Sequence, residues 1–284
     1  DIVDFCKEHK INFVVVGPEL PLNNGIVDKL REEKITVFGP DKASSQLESS
    51  KIFMKNICKR HNVPTAKYSI FDNEKKALDF LDTVDFPTVI KADGLAAGKG
   101  VIITKNKNEA VETIKNIMSK RIFGASGENI IIEEFLEGRE ASFFVLSDGD
   151  TVISLGFAQD YKPIFDGNKG PNTGGMGSYS PVNFIDVDIE LKIKNIALQT
   201  INAMKEEGRP YKGVLYLGLM LTDAGAKLLE YNVRFGDPEC QVIFPRIKND
   251  ILDVLLSVSK GELNKFSNLE LDNRSVICIV LASP

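Results

Sequence analysis

A chain of 284 residues with 43% hydrophobic and 26% charged side chains has enough apolar material for a sizeable core, which excludes disorder and suggests about two domains. Its net charge of −5 argues against a phosphate-tracking nucleic-acid surface. The longest apolar run, residues 276–282, falls far short of the ~20 residues that a membrane span needs.

The chain opens on an apolar-patterned helix, without an initiator Met or a signal peptide, and closes just after a strand; it reads as a piece of a longer protein. Residues 11–16 form a β-rich run, 17–21 a loop, 26–33 a helix and 35–38 a second strand, which predicts parallel pairing with a right-handed crossover. In such a unit, ligands bind beyond the carboxyl ends of strands, so the 17–22 loop is either a site rim or a plain Pro-rich turn. A helical stretch is expected over residues 42–60, ended by Val63-Pro64. Strands at 88–91 and 101–104 flank a Gly-rich turn, and a helix with the capping box Asn106-Lys-Asn-Glu109 follows. Its apolar stripe is Ala110, Val111, Ile114, Ile117 and Met118, and the next strand is 130–132. Residues 141–146 and 152–157 make a hairpin, 170–180 a long Gly-rich loop, and 189–204 a helix striped with Ile189, Ile193, Ile196, Ala197, Thr200, Ile201 and Met204. A last hairpin pairs 214–221 with 227–235, and a helix is expected after it, with Asp237 as N-cap and Pro238 at the first helical position.

The cysteines Cys6, Cys58, Cys240 and Cys278 are far apart with no C-x-x-C pair, so neither a zinc site nor a disulfide framework is expected, and a reducing cytoplasm fits. The two histidines, His9 and His61, sit in lysine-rich stretches as solvated residues. Any metal is therefore left to oxygen ligands, which means a hard cation such as Mg²⁺.

The strand at 228–235 is the most informative segment. Alternation puts Glu230, Asn232 and Arg234 on one face and Leu229, Tyr231, Val233 and Phe235 on the other, in a core. A carboxylate and an amide oxygen two residues apart can ligate a hard cation together, and the arginine can hold an anion bound to it. An ordinary exposed polar face would look the same. Residues 94–100, flanked by Lys91 and Lys99, fail the P-loop template but can cradle phosphate through backbone N–H groups; a flexible hairpin tip is the alternative. Residues 170–181 can wrap a small anion with backbone donors, or serve as a linker.

Taken in order, five stretches resemble the ATP-grasp ligases, and among them the glycinamide ribonucleotide synthetase family: Val16-Gly-Pro-Glu-Leu-Pro-Leu22, Ile90-Lys-Ala-Asp-Gly-Leu-Ala-Ala-Gly-Lys-Gly-Val101, Ile132-Glu-Glu-Phe-Leu136, Gly170-Pro-Asn-Thr-Gly-Gly-Met-Gly177 and Arg234-Phe-Gly-Asp-Pro-Glu239. The resemblance implies a mixed α/β and α+β fold, in which an N-terminal parallel α/β unit precedes a two-part ATP-grasp region with ATP between two antiparallel sheets. It implies residues 1–49 as the remainder of an N-terminal substrate domain and 50–270 as the grasp region, with a smaller lid at 64–134 and a larger part at 135–270. Residues 271–284 would begin a C-terminal domain. Lys51 and Lys91 match phosphate-holding lysines; Gly98, Lys99 and Gly100 match the loop that closes over them. Glu133, Glu134, Phe135 and Leu136 match the adenine hinge, and Glu140 the ribose contact. Glu230 and Asn232 match ligands of Mg²⁺ (or Mn²⁺), and Arg234 would hold the transferring phosphate or acyl phosphate. Glu19, Asp160, Asn172, Thr173, Gly174, Gly175, Met176, Gly177 and Asp237 would face glycine and 5-phosphoribosylamine.

The implied reaction is ATP-dependent amide formation through glycyl phosphate in purine biosynthesis, by a cytoplasmic monomer with no nucleic-acid or membrane partner. Two departures stand out: Tyr161 replaces a frequent His, and Gly218 stands about where many grasp enzymes place a further acidic metal ligand. The family's first strand with its substrate-phosphate loop precedes residue 1, so this stretch alone is expected to be at best a weak catalyst. Another purine-pathway ligase acting on a different carboxylate or amine, or a nucleotide-binding module without turnover, are the competing readings.

Overall fold

The computed structural model describes residues 2–96, 99–167 and 169–282. The chain starts with α1 (Ile2–Glu8), β1 (Phe13–Val15), α2 (Glu19–Asn23), α3 (Ile26–Glu32) and β2 (Thr36–Phe38). β1 and β2 pair in parallel, Val14 opposite Val37, as the strand–helix–strand order requires. The expected loop at 17–21 is corrected: from Glu19 the chain turns into α2 and buries Leu22. Pro21 is tolerated there because its missing N–H falls among the first helical positions, which have no partner anyway.

The helical stretch expected over 42–60 is corrected at its start, since residues 42–45 are turn, and it is interrupted. It is two helices, α4 (Gln46–Ser49) and α5 (Lys51–Arg60), broken at Ser50, whose φ of −136° and ψ of 110° are extended. Ser50 Oγ accepts from Phe53 N (3.0 Å), and Asp93 accepts from Ser50 Oγ (3.1 Å) and Ile52 N (3.1 Å). A distant carboxylate thus caps α5 and fixes its first residue, Lys51, beside the Gly-rich turn.

Next come β3 (Tyr68–Phe71), α6 (Glu74–Phe80), β4 (Thr88–Ala92), β5 (Val101–Thr104), α7 (Lys107–Met118) and β6 (Ile130–Glu134). The strands form an antiparallel sheet in the order β3-β6-β4-β5. Asn106 Oδ1 caps α7 through Glu109 N (3.0 Å), and Glu109 reaches back to Lys105 N (2.8 Å), one residue earlier than a capping box does. Ile90, Ile130 and Ile132 pack under α6 and α7 with Ala77, Ile114 and Ile117. The two-residue period then turns Lys91 and Glu133 to the opposite face, as a diagonal pair across β4 and β6.

The remainder holds β7 (Arg139–Asp148), β8 (Val152–Asp160), β9 (Pro163–Phe165), β10 (Lys169–Asn172), β11 (Gly177–Ser180), α8 (Val187–Glu206), β12 (Lys212–Thr222), β13 (Gly225–Asn232), α9 (Cys240–Ile243), α10 (Ile251–Lys260) and β14 (Val276–Ile279). Six of these strands make one antiparallel sheet, ordered β13-β12-β7-β8-β11-β14, while β9 and β10 pair separately. The long loop expected at 170–180 is therefore corrected to strand ends around a short connection, because β11 completes a ladder with β8 and β14. Both faces of the large sheet are covered. Phe143 and Val145 of β7 join the core that includes Ile193, Ala197 and Ile201 of α8; Phe144 and Leu146 join the one that includes Val254 and Val258 of α10. That double burial is why β7 is apolar without alternation from Phe143 to Leu146.

β13 carries a bulge. Glu230 lies opposite Gly218, but the next pair is Leu228 with Leu219, so Leu229 has no ladder partner. Leu228, Tyr231 and Val233 are buried while Leu229 is only half-buried, which corrects the expected alternation: the extra residue shifts the phase by one. The outer edge of β13 is covered by residues 64 and 65, with Leu228 N donating to Pro64 O (2.8 Å) and Thr65 Oγ1 donating to Leu228 O (2.7 Å). After β13 the expected helix at Asp237 is displaced. Residues 237–239 form a turn, α9 begins at Cys240, and Asp237 Oδ1 accepts from Gln241 Nε2 (2.7 Å) rather than from a backbone N–H.

Candidate active site

The outward face of the four-stranded sheet and the first turns of α5 bring three lysines together. Glu133 stands among them, almost wholly buried, with Oε2 3.0 Å from Lys91 Nζ and Oε1 3.0 Å from Lys55 Nζ. Lys55 also donates to Thr65 Oγ1 (2.7 Å), and Lys91 donates to the Leu229 carbonyl of the facing sheet (3.2 Å). Lys51 donates to Gly94 O (3.1 Å) at the root of the Gly-rich turn. Burial pulls the pKa of both Lys51 and Lys55 below the usual lysine value, opposed by Glu230 for the first and Glu133 for the second. Two of these lysines were sequence candidates. Lys55 was not, although it follows Lys51 by four residues, the spacing that puts two side chains on one helical face.

Of the expected hinge residues, Glu133 thus turns its carboxylate to the lysines, and its carbonyl accepts from Thr88 Oγ1 (2.7 Å). Glu134 pairs with Lys227 (2.9 Å) and accepts from Lys67 N (3.0 Å), Phe135 is half-buried and Leu136 is buried. Gly98 lies outside the described residues; Lys99 is exposed and Gly100 buried.

Across the cleft is an acidic pocket with a cation in it. Lys162 Nζ lies 3.9 Å from Glu140 Oε2, 4.0 Å from Asp160 Oδ2 and 4.0 Å from Glu230 Oε1. Burial raises the pKa of Glu140, and it would do the same to Glu230, but Lys162, Lys91, Lys51 and Arg234 together hold Glu230 below the usual carboxylate value. Glu230 is therefore ionised. For Lys162 the balance is similar: burial works against the ammonium, and Glu230, Asp160 and Glu140 outweigh it and raise its pKa. Gly218 faces Glu230 directly, and a Cβ there would lie 3.0 Å from Glu230 Cγ, so a side chain at that position would have to push Glu230 aside.

Arg234 lies beyond the end of β13, not on it, yet stays with the site through its own contacts. Nη2 is 3.5 Å from Asn232 Oδ1 and 3.5 Å from Glu48 Oε1, and Nε is 3.6 Å from Glu19 Oε2. Glu48, invisible to sequence reasoning, also accepts from Val233 N (2.8 Å). Burial lifts its pKa from 4.5 to about 7 against the pull of Arg234. Between pH 4.5 and 7 the folded state keeps the Glu48 proton while the unfolded chain has lost it, so this group's contribution to stability falls as pH rises through that window. Glu48→Gln is expected to flatten that fall, by on the order of 3 kcal/mol between pH 4.5 and pH 8. Urea titrations at the two pH values check this, and an unchanged slope would count against it.

The 172–177 segment is zipped to the pocket. Thr173 N and Oγ1 both donate to Lys162 O (2.8 Å each), Met176 N donates to Tyr161 O (2.7 Å), and Tyr161 N donates to Gly177 O (3.0 Å). Asn172, Gly174 and Asp237 are exposed, Gly175 and Met176 half-buried, and Gly177 buried. Among the described residues no group of three or more His, Cys, Asp or Glu is arranged to hold a metal by itself. An ionised carboxylate at Glu230 and an amide oxygen at Asn232 suit a hard cation that draws its other oxygens from a bound phosphate and water.

Comparison with known proteins bears directly on this cleft. Residues 49–240 match the family model described as Phosphoribosylglycinamide synthetase, ATP-grasp (A) domain, and residues 1–48 match the N domain of the same synthetase. The chain is 50% identical over 284 residues to the trifunctional purine biosynthetic protein adenosine-3 of Bos taurus, covering 99% of this chain and 28% of that protein. It is 47% identical over 289 residues to the phosphoribosylamine–glycine ligase of Rhodopirellula baltica, covering 99% of this chain and 66% of the ligase. The crystal structure of the Thermotoga maritima phosphoribosylamine–glycine ligase superposes with a TM-score of 0.82 at 38% identity, over 90% of this chain and 65% of that one. The chain thus spans a little under two thirds of that ligase and under a third of the trifunctional protein.

Proposed function

The chain belongs to the phosphoribosylglycinamide synthetase family, and from that premise we propose that the protein containing it joins glycine to 5-phosphoribosylamine with cleavage of ATP. The products are glycinamide ribonucleotide, ADP and phosphate. The observation that supports this best is Lys91 reaching from one antiparallel sheet to Leu229 O of the other (3.2 Å), next to a Glu230 that Lys162, Lys91, Lys51 and Arg234 together hold ionised.

In the first step a carboxylate oxygen of glycine attacks the γ-phosphorus and ADP leaves, giving glycyl phosphate. In the second the amine of phosphoribosylamine attacks the acyl carbon, and phosphate leaves with the electron pair of the broken C–O bond. No covalent enzyme nucleophile is needed, so the residues act by positioning and charge. Lys51, Lys91 and residues 98–100 hold the nucleotide phosphates, 133–136 the adenine and Glu140 the ribose. Arg234 holds the transferring phosphate. Its two carboxylate neighbours, Glu19 and Glu48, restrain the guanidinium in the meantime. A divalent cation, Mg²⁺ or Mn²⁺, held by Glu230 and Asn232 supplies charge neutralisation at the phosphates. Glu19, Asp160, 172–177 and Asp237 face the two acceptor substrates.

We assign 1–49 to the substrate domain, 64–134 to a lid, 135–270 to the larger grasp part and 271–284 to the start of a further domain, in a cytoplasmic monomer. An ADP-release assay on the full-length protein, omitting glycine, phosphoribosylamine and ATP in turn, tests the reading: ADP release over many turnovers is expected only when all three are present. Release with another carboxylate but not glycine would point to a different ligase, and ATP binding without ADP to a non-catalytic module.

A further inference from the structure

We propose that Lys162 is a tethered cation that occupies the pocket of Glu140, Asp160 and Glu230 until a divalent cation takes Glu230, so that metal binding and release of the ammonium are one event. This rests on the reading of Glu230 as a metal ligand.

Three observations carry it. The ammonium is nearly equidistant, at 3.9 to 4.0 Å, from three separate carboxylates, too far for a normal hydrogen bond to any of them. It stands as a shared counter-charge rather than half of an ion pair. Among the described residues Lys162 is the one cation within 4.0 Å of these acids, while Lys91, Lys51 and Arg234 act on Glu230 from farther off; the strand position facing Glu230 is Gly218, and Glu239, almost wholly buried, adds a further acid to the same field. Finally, only the head of Lys162 is free to move, because its carbonyl is fixed by Thr173 N and Oγ1 (2.8 Å each). A lysine is a point charge on a flexible stem, and it can leave without its backbone following.

A cation already seated beside Glu230 repels a second one and reduces its apparent affinity by the fraction of time it is seated there. The ammonium, once released, stays close to the 172–177 segment because that segment grips its own backbone.

The test uses Mn²⁺ alone, without nucleotide, counting free ion by its paramagnetic resonance signal. Lys162→Met and Lys162→Gln are expected to bind Mn²⁺ roughly fivefold to tenfold more tightly than wild type, and Lys162→Arg to stay near wild type. The two neutral variants are also expected to melt at lower temperature than wild type when metal-free, and to regain the difference on adding Mn²⁺. Equal or weaker Mn²⁺ binding by both neutral variants overturns the proposal. Glu230→Gln separates this from the underlying assignment: it is expected to abolish the Mn²⁺ site with or without Lys162, and intact binding there would remove Glu230 from the metal site altogether.

Discussion

Glu230→Ala is expected to lower kcat by roughly 10²- to 10³-fold in the full-length protein and to abolish the Mg²⁺-dependent part of ATP binding. The size of the effect follows from the surroundings of the carboxylate. Four cationic side chains, Lys162, Lys91, Lys51 and Arg234, keep it ionised although burial opposes that. The neighbouring acids Glu140 and Asp160 are held by Lys162 on the other side of the pocket, and Gly218, opposite Glu230, brings no carboxylate of its own. Asn232 is left as a single neutral oxygen, which binds a hard cation weakly without a carboxylate partner. Steady-state ADP release, together with ATP titrations with and without Mg²⁺, measures both consequences. Near-normal kinetics would take Glu230 out of the chemistry.

The second large effect concerns stability. Glu133→Ala removes the shared counter-ion of Lys55 and Lys91 and leaves two ammonium groups confined in a nearly dry space. Breaking a buried pair in this way costs about 3–5 kcal/mol, because the remaining charge keeps its desolvation penalty without compensation. Glu134→Ala, one residue on, removes a pair with Lys227 whose members remain about a quarter to a third exposed, and is expected to cost under about 1 kcal/mol. Urea unfolding of both variants decides the matter: equal losses would mean that burial is not what sets the energy. Replacing Lys55 by Met in the Glu133→Ala background is expected to recover part of the loss, since one stranded charge then disappears.

Much of the candidate site's layout was legible because several of its side chains lie on strands. The two-residue period fixed Glu230 and Asn232 on one side and Tyr231 and Val233 on the other, and the fold keeps them there. The same reasoning failed one residue earlier, at Leu229, because a bulge is a property of the pairing with β12 and leaves no mark on β13 itself. The break at Ser50 was hidden for a similar reason: its stabiliser is Asp93, which no helical periodicity can foresee. Glu48 and Lys162 escaped because most of their partners are remote in sequence, Asp160 beside Lys162 being the exception. Glu48 meets Val233 and Arg234, and Lys162 meets Glu140 and Glu230. Charges that converge only through tertiary folding look, in a single sequence, like any other surface charges.

The bulge has a consequence for how the chain can vary in length. The unpaired Leu229 offers its carbonyl to Lys91, which belongs to the opposite sheet, while its insertion sets which side chains β13 turns toward that lysine. One supernumerary residue therefore indexes the two jaws of the cleft to each other. Removing it, or adding another between Leu219 and Glu230 inside the ladder, would trade Glu230 for a tyrosine or leucine at the mouth and strand the acid among hydrocarbon. Insertions in this hairpin are accordingly expected to be tolerated only at its tip, at Asp223 and Ala224, which lie outside the ladder.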